Sequence, residues 1–242
     1  MAIKSSRFFE IDLLRGLAII GMVTYHFLFD LSYFYNLPIG IDRGILFYLA
    51  KIVAIIFLLL VGMSLVFSYN FYKNPKLFIY INLKRSATIL CFAMLITVVT
   101  YIVFPDSYII FGILHLISIS ILISLPLLFT KNSIPIVISF FIILIGTALS
   151  TSLHSTNYLF IPFGVTPSFF SSFDYYPLFP WLGIIFVGLY VGRLYYPWRI
   201  KQKNVQIPQF FKSLSVNSLF IYLIHQPVIL LILLIIKTIL KQ

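Results

Sequence analysis

Ile45-Leu-Phe-Tyr-Leu-Ala-Lys51-Ile-Val-Ala-Ile-Ile-Phe-Leu-Leu-Leu-Val-Gly62-Met-Ser-Leu-Val-Phe-Ser-Tyr69 runs for 25 residues with one charge, Lys51. As a helix it reaches about 37 Å at 1.5 Å per residue. That exceeds the roughly 30 Å hydrocarbon thickness of a bilayer. A segment with so little polarity is stable only against lipid or in a large core, and the rest of the chain decides between the two.

The chain has 242 residues, of which 61% are hydrophobic and 18% aromatic. Mean hydropathy is +1.07. Charged residues make up 10%, against roughly 25% in an ordinary soluble domain. One core of this size cannot hide that much apolar surface, so the excess faces lipid. A soluble enzyme, a secreted disulfide scaffold and a disordered chain are excluded. Cys91 is the only cysteine, which removes intrachain disulfides and thiolate metal sites.

Apolar stretches near 20 residues predict seven transmembrane helices, at about 12–35, 45–69, 86–104, 109–129, 134–152, 178–196 and 214–238. The fold class is all-α, a polytopic integral membrane helix bundle forming a single domain over 1–242. Glu10, Asp12 and Arg15 interrupt the start of the first span, and Ser32–Gly40 offers no small-residue cleavage site. The first helix is therefore expected to remain in the mature protein. No internal repeat or low-complexity tract appears.

The net charge of +11 does not point to nucleic acid, because the bases cluster at the ends of apolar runs and set topology. With the N-terminus cytoplasmic, the inner side holds Lys4, Arg7, Arg15, Lys73, Lys76, Lys84, Arg85, Lys131, Arg193, Arg199, Lys201, Lys203 and Lys212. Only Arg43, Lys51, Lys237 and Lys241 fall outside. The longest outer connection, 153–177, contains no Lys or Arg. Its length and its aromatic, proline-rich character suit a lid or re-entrant segment.

Ionisable groups inside a membrane are costly, and each asks for a reason. On the first helix Arg15, Met22, His26 and Tyr33 fall close to one line, with Asp12 and Asp30 roughly 60° to one side. His26 and Asp30 are four residues apart, hence neighbours. A carboxylate beside an imidazole fixes its tautomer and suits a general base, although a purely structural pair knitting helices together reads the same way. His115 shares a face with Gly112 and Ser118 on the fourth helix. His225 shares one with Ser218 and Tyr222 on the last, where Pro227 loosens the helix. His154, in a wet loop, reads as unspecialised. By depth, His26, Asp30, His115, His225 and Asp174, which is expected to cap the sixth helix, share one outer-leaflet pocket, while cations gather at the inner mouth. That layout suits an anionic, phosphate-bearing donor from the cytoplasm and an acceptor from outside. No metal is expected, since these residues show no ligand spacing. The sequence also lacks a phosphate-cradling glycine loop, a nucleophile elbow and a heme signature. Gly188-Leu-Tyr-Val-Gly192 matches the small-residue helix-packing motif.

The opening Arg7-Phe-Phe-Glu-Ile-Asp12-Leu-Leu-Arg15-Gly16-Leu-Ala, with His26 ten residues after the glycine and Phe29-Asp30-Leu31 beyond it, resembles the heparan-alpha-glucosaminide N-acetyltransferase-like membrane proteins. Their compact prokaryotic branch belongs to the transmembrane acyltransferase superfamily and is related to acyltransferase type 3. Phe111-Gly-Ile-Leu-His115, Asp174-Tyr-Tyr-Pro177-Leu-Phe-Pro180-Trp181, Gly192-Arg193 and Ser218 through His225-Gln-Pro227 extend the likeness along nearly the whole chain. In the lysosomal enzyme the catalytic histidine is placed in the first outer loop. Here that loop, Asn36-Leu-Pro-Ile-Gly-Ile-Asp42-Arg43, has none, and His26 with Asp30 is the nearest substitute.

The resemblance implies acetyl-CoA as acyl donor and a glycan or glycolipid acceptor taking the acyl group on a sugar amine or hydroxyl across the plasma membrane. On this reading Arg15, Lys84, Arg85 and Arg193 meet the CoA phosphates. His26, oriented by Asp30, is the base, and His115 or His225 stabilises the oxyanion. Membrane lipids complete the expected partners, nucleic acid is not among them, and a homodimer is left open. The rival readings are a proton-coupled transporter using the same histidines as a relay, and a non-catalytic lipid- or glycan-binding membrane protein. The charge asymmetry gives a direct check: a cysteine introduced at Ser155 should label only from the extracytoplasmic side, and labelling only from the cytoplasm would invert the topology.

Overall fold

In a computed structural model the described residues, 8–35, 37–38, 40, 44–152, 154–201 and 208–240, form eight α-helices. They are α1 (Phe9–Tyr35), α2 (Ile45–Phe71), α3 (Pro75–Val103), α4 (Ile113–Leu127), α5 (Ile134–Ser152), α6 (Leu178–Arg199), α7 (Gln209–Val216) and α8 (Ser218–Leu240). A 3-10 helix, Tyr158–Phe163, lies between α5 and α6. Among the described residues there is no strand, only an isolated bridge between His154 and Thr166. Lys4, Arg7, Arg43, Lys203 and Lys241 of the charge map lie outside the described residues, as do Asn36, Ile39, Ile41 and Asp42 of the first outer loop.

The protein is a polytopic helical membrane protein. Five helices, α1, α2, α3, α6 and α8, are long and apolar enough to cross a membrane, while α4 and α5 are apolar and shorter. All seven expected apolar helices are present, with corrected ends. The third begins at Pro75, not 86, because Asn74 caps it by accepting the Lys76 and Leu77 N–H groups (3.0 and 3.4 Å) and Pro75 needs no N–H there. At 29 residues it is about 43 Å long, so its polar first turns extend past the apolar part that hydropathy marks. The fourth is shorter than 109–129, starting after extended Gly112 and ending just beyond Pro126. The last expected span divides at Asn217: Leu214–Val216 belong to α7, and α8 starts at Ser218.

The chain forms two compact units, residues 1–57 with 203–242, and residues 58–202. In the first, α1 and α8 run parallel: the pairs His26–His225, Asp30–Gln226 and Tyr35–Leu233 advance together along both helices. α7 packs on the start of α1, where a Cβ on Gly16 would meet Phe211 and Leu214.

In the second unit α5 and α6 are antiparallel, with Ser139 Oγ donating to the Gly183 carbonyl at 2.9 Å and Gly146 facing Pro180. α3 and α4 are joined by a reciprocal serine clasp. Ser86 Oγ donates to the Ser118 carbonyl and Ser118 Oγ to that of Ser86, both at 2.9 Å. The remainder of α2 lies parallel to α6 at backbone contact. A Cβ on Gly62 would strike Ile185, Gly188 and Leu189, one on Gly188 would strike Leu59, and one on Gly192 would crowd Met63 and Val66. The glycine pair noted in the sequence therefore has a definite partner, since only missing side chains let two helix backbones approach this closely.

The 153–177 connection is tied down from below. Tyr175 donates its hydroxyl to the Ile161 carbonyl (2.7 Å). Burial pushes this hydroxyl up to about 12, so it stays protonated and donating throughout the neutral range.

The α2–α6 crossing generates a prediction. Gly188→Val should lower the thermal midpoint in detergent, in line with an overpacking cost of about 1–3 kcal/mol. Val191→Leu, on an exposed face of the same helix, should leave it unchanged; equal midpoints for the two variants would refute the crossing.

Candidate active site

The five expected catalytic residues fall into two groups: His26, Asp30 and His225 in the first unit, His115 and Asp174 in the second. In the first unit the polar stripe of α1 is turned toward α7 and α8. Asp12 and Asp30, to one side of it, are buried, 4% and 0% exposed.

Asp30 does not contact His26 through a hydrogen bond. Both of its carboxylate oxygens accept from Gln226 Nε2, each at 2.8 Å. His26 instead packs its ring on that of His225, centroids 4.8 Å apart and planes at 59°. The expected i,i+4 pair is thus opened by helix α8, which supplies each α1 residue with another partner. Gln226 must present its NH₂ to the carboxylate, because an amide oxygen there would face two other oxygens. Its Oε1 is then an acceptor, buried and without a hydrogen-bond partner in the protein.

The tautomer of His225 follows in the same way. Its Nδ1 lies 2.7 Å from the Tyr222 carbonyl, and a carbonyl can only accept. Nδ1 therefore carries the hydrogen, and Nε2 of the neutral ring carries a lone pair. That nitrogen is buried with no hydrogen-bond partner in the protein. His225 and Gln226 thus each leave one buried acceptor without a hydrogen-bond partner in the protein, and Gln226 also holds the Asp30 carboxylate. In the sequence Gln226 is one residue of the Ser218–Pro227 stretch and carries no mark of a role. Only the placement of α8 on α1 reveals its partner.

Toward the start of α1, Arg15 Nη1 donates to Ser215 Oγ at 3.1 Å, and Ser215 Oγ donates to Asp12 Oδ1 at 2.5 Å. Asp12 Oδ2 is buried and lacks a hydrogen-bond partner. Ser215 has no marked role in the sequence either, since it falls at the start of the expected 214–238 span and only the packing of α7 on α1 buries it.

In the second unit His115 closes the first turn of α4, not a deeper one, because the helix begins at Ile113. Its Nδ1 accepts the Gly112 N–H (3.2 Å), which leaves the hydrogen on Nε2, 3.4 Å from Thr97 Oγ1. Thr97 in turn donates to the Ile109 carbonyl at 2.6 Å. Asp174 Oδ2 accepts the Ile113 N–H at 2.9 Å. It therefore caps α4, not the sixth helix: the segment 171–176 is laced to 107–111 through Phe173 N–Ser107 O and Tyr176 N–Phe111 O bonds of 3.1 and 3.0 Å. A carboxylate at a helix N-terminus satisfies an otherwise orphaned N–H and complements the helix dipole.

Of the expected donor-binding cations, Lys84 and Arg85 are exposed on α3. Arg193 is engaged at the other end of α4, donating to the carbonyls of Leu127 and Lys131 at 2.5 and 2.9 Å. Arg199, counted in sequence only as a topological charge, is 1% exposed. Among the described residues no group of three or more His, Cys, Asp and Glu is placed to hold a metal ion.

The Asp30–Gln226 contact is testable on its own. Gln226→Leu removes the amide facing a buried carboxylate, and leaving such an acceptor unpaired costs about 1–3 kcal/mol or more. The thermal midpoint in detergent should fall, and Gln226→Asn should lower it as well by shortening the reach. An unchanged midpoint in Gln226→Leu would show that Asp30 is satisfied otherwise.

No curated protein and no solved structure matches this chain. The model of the family described as heparan-alpha-glucosaminide N-acetyltransferase, catalytic, matches residues 7–227. This stretch begins before α1 and ends within α8, so it includes the His26–His225 contact, the Asp30–Gln226 pair and the capped start of α4. On this match over most of its length, the chain belongs to the heparan-alpha-glucosaminide N-acetyltransferase catalytic family, a family of membrane acetyltransferases.

Proposed function

We propose that this protein is a plasma-membrane acyltransferase that takes an acetyl group from cytoplasmic acetyl-CoA and transfers it to an amine or hydroxyl of a glycan or glycolipid on the extracytoplasmic side. The observation that carries this reading is the His26–His225 ring contact, with a lone-pair nitrogen at His225 Nε2 buried and open in a member of an acetyltransferase family. In the reaction the acceptor's nitrogen or oxygen attacks the thioester carbonyl and its proton passes to the histidine pair. The carbon–sulfur bond breaks, and the CoA thiolate leaves and is protonated. On this proposal His225 Nε2 receives the proton, and His26 supports the ring across the helix contact.

Gln226, held by Asp30, keeps its Oε1 available as a second acceptor for the nucleophile's hydrogen. His115 and Asp174 act by fixing the start of α4. Lys84 and Arg85 meet the CoA phosphates as exposed cations, since ionised donors bind phosphate oxygens strongly. Arg15 serves the same end through the Ser215 network, and Arg193 does so while braced on the end of α4.

CoA release from acetyl-CoA, measured in detergent with a panel of amino sugars as acceptors, tests this assignment. His225→Ala should lower turnover by roughly 10²–10⁴, the usual effect of losing a positioned base. His26→Ala should lower it too, and both variants should still bind CoA. Wild-type turnover in both variants would remove the pair from the chemistry.

A further inference from the structure

The 153–177 connection presents an apolar surface that the transfer reaction does not use. Tyr158, Leu159, Phe160 and Phe163 of the 3-10 helix are 63%, 77%, 48% and 45% exposed, and Phe169 at the following tip is fully exposed. Five large apolar side chains on one short loop are an unstable surface in water. We propose that the 3-10 helix Tyr158–Phe163 and the Phe169 tip form an interfacial anchor that lies in the headgroup region of the bilayer, at the end of the α5–α6 pair.

Three observations favour lipid as the occupant. First, the helices that the loop joins also expose large apolar residues. α5 exposes Phe140, Phe141 and Leu144 and ends shortly before the 3-10 helix. That helix rests on the entry to α6, with the Phe163 and Phe179 rings 6.4 Å apart and Gly164 against Pro177 and the Phe179 carbonyl. The anchor therefore sits at the level where a membrane-crossing helix enters, the depth at which aromatic side chains collect.

Second, the loop offers no net charge to water. It contains no Lys or Arg, and its single acidic residue, Asp174, is turned inward to the Ile113 N–H. Third, the backbone around the 3-10 helix is satisfied within the loop. Asn157 Oδ1 accepts the Leu159 N–H, Ser155 Oγ accepts the Asn157 N–H, and Tyr175 donates to the Ile161 carbonyl. The Phe160, Gly164 and Val165 N–H groups find carbonyls within the same turn. A segment entering the interface needs its backbone satisfied internally, as this one is.

The test uses the full chain in phosphatidylcholine vesicles, in a Cys91→Ser background. Single cysteines at Leu159, Phe169 and, as a control, Ser155 carry the same environment-sensitive fluorophore. The probes at 159 and 169 should show blue-shifted emission and quenching by lipids spin-labelled near the headgroup, with little quenching by aqueous iodide. The probe at 155 should behave as in water. Water-like emission and iodide quenching at both 159 and 169 would overturn the proposal. So would protection of those two probes by an added oligosaccharide without any lipid quenching, since that result assigns the surface to a glycan.

Discussion

Hydrocarbon supplies no hydrogen bonds, so every polar atom placed within it must be answered by the protein. Much of the organisation of this chain follows from that requirement. The buried serines of α3 and α4 bond to each other's carbonyls. Arg193 spends its guanidinium on the carbonyls at the end of α4, where a cation also complements the helix dipole. His115 and Asp174 answer the N–H groups at the other end. A helix as short as α4, buried on most of its faces, persists because both of its termini are closed by side chains from elsewhere in the unit.

Against this economy the open atoms stand out. Asp12 Oδ2, Ser120 Oγ, Ser124 Oγ, His225 Nε2 and Gln226 Oε1 are buried without hydrogen-bond partners. Two of them belong to consecutive residues on α8 that both contact α1. Orphaned acceptors carry a cost of about 1–3 kcal/mol each in a protein interior, and a chain under the hydrocarbon constraint has every reason to remove them. On the proposed function, the two on α8 are where an N–H or O–H group of the acceptor would complete the network. A nucleophile bearing hydrogens fits two acceptors; a carbonyl or phosphate oxygen does not.

Where polar pairing closes the helix ends, glycine closes the helix faces. Gly62 and Gly188 bring α2 and α6 to backbone contact, and Gly183 lets α5 approach α6 closely enough for Ser139 to reach a main-chain carbonyl. In lipid the apolar side chains gain little by leaving their solvent, so close van der Waals contact and such short polar links hold the helices together. The lipid-facing sides carry large apolar residues without evident pattern, and the informative residues are the small ones.

Composition, apolar run length and basic-residue asymmetry were enough to read the membrane class, the number of apolar helices and the polar stripe on α1, because these depend on transfer from water to lipid, residue by residue. The family could be read as well, from spaced motifs that survive without any knowledge of contacts. Helix ends were less legible: α3 starts eleven residues before its expected span and α8 is cut from α7 at Asn217, since hydropathy measures where lipid begins and not where a helix is capped. Partners were not legible at all. Neighbouring positions on one helix predicted His26 with Asp30, and a second helix laid parallel beside them gave His26 to His225 and Asp30 to Gln226. The reason is geometric: an i,i+4 contact on one helix face is weak, and which donor a buried carboxylate meets depends on which element the tertiary fold packs against it.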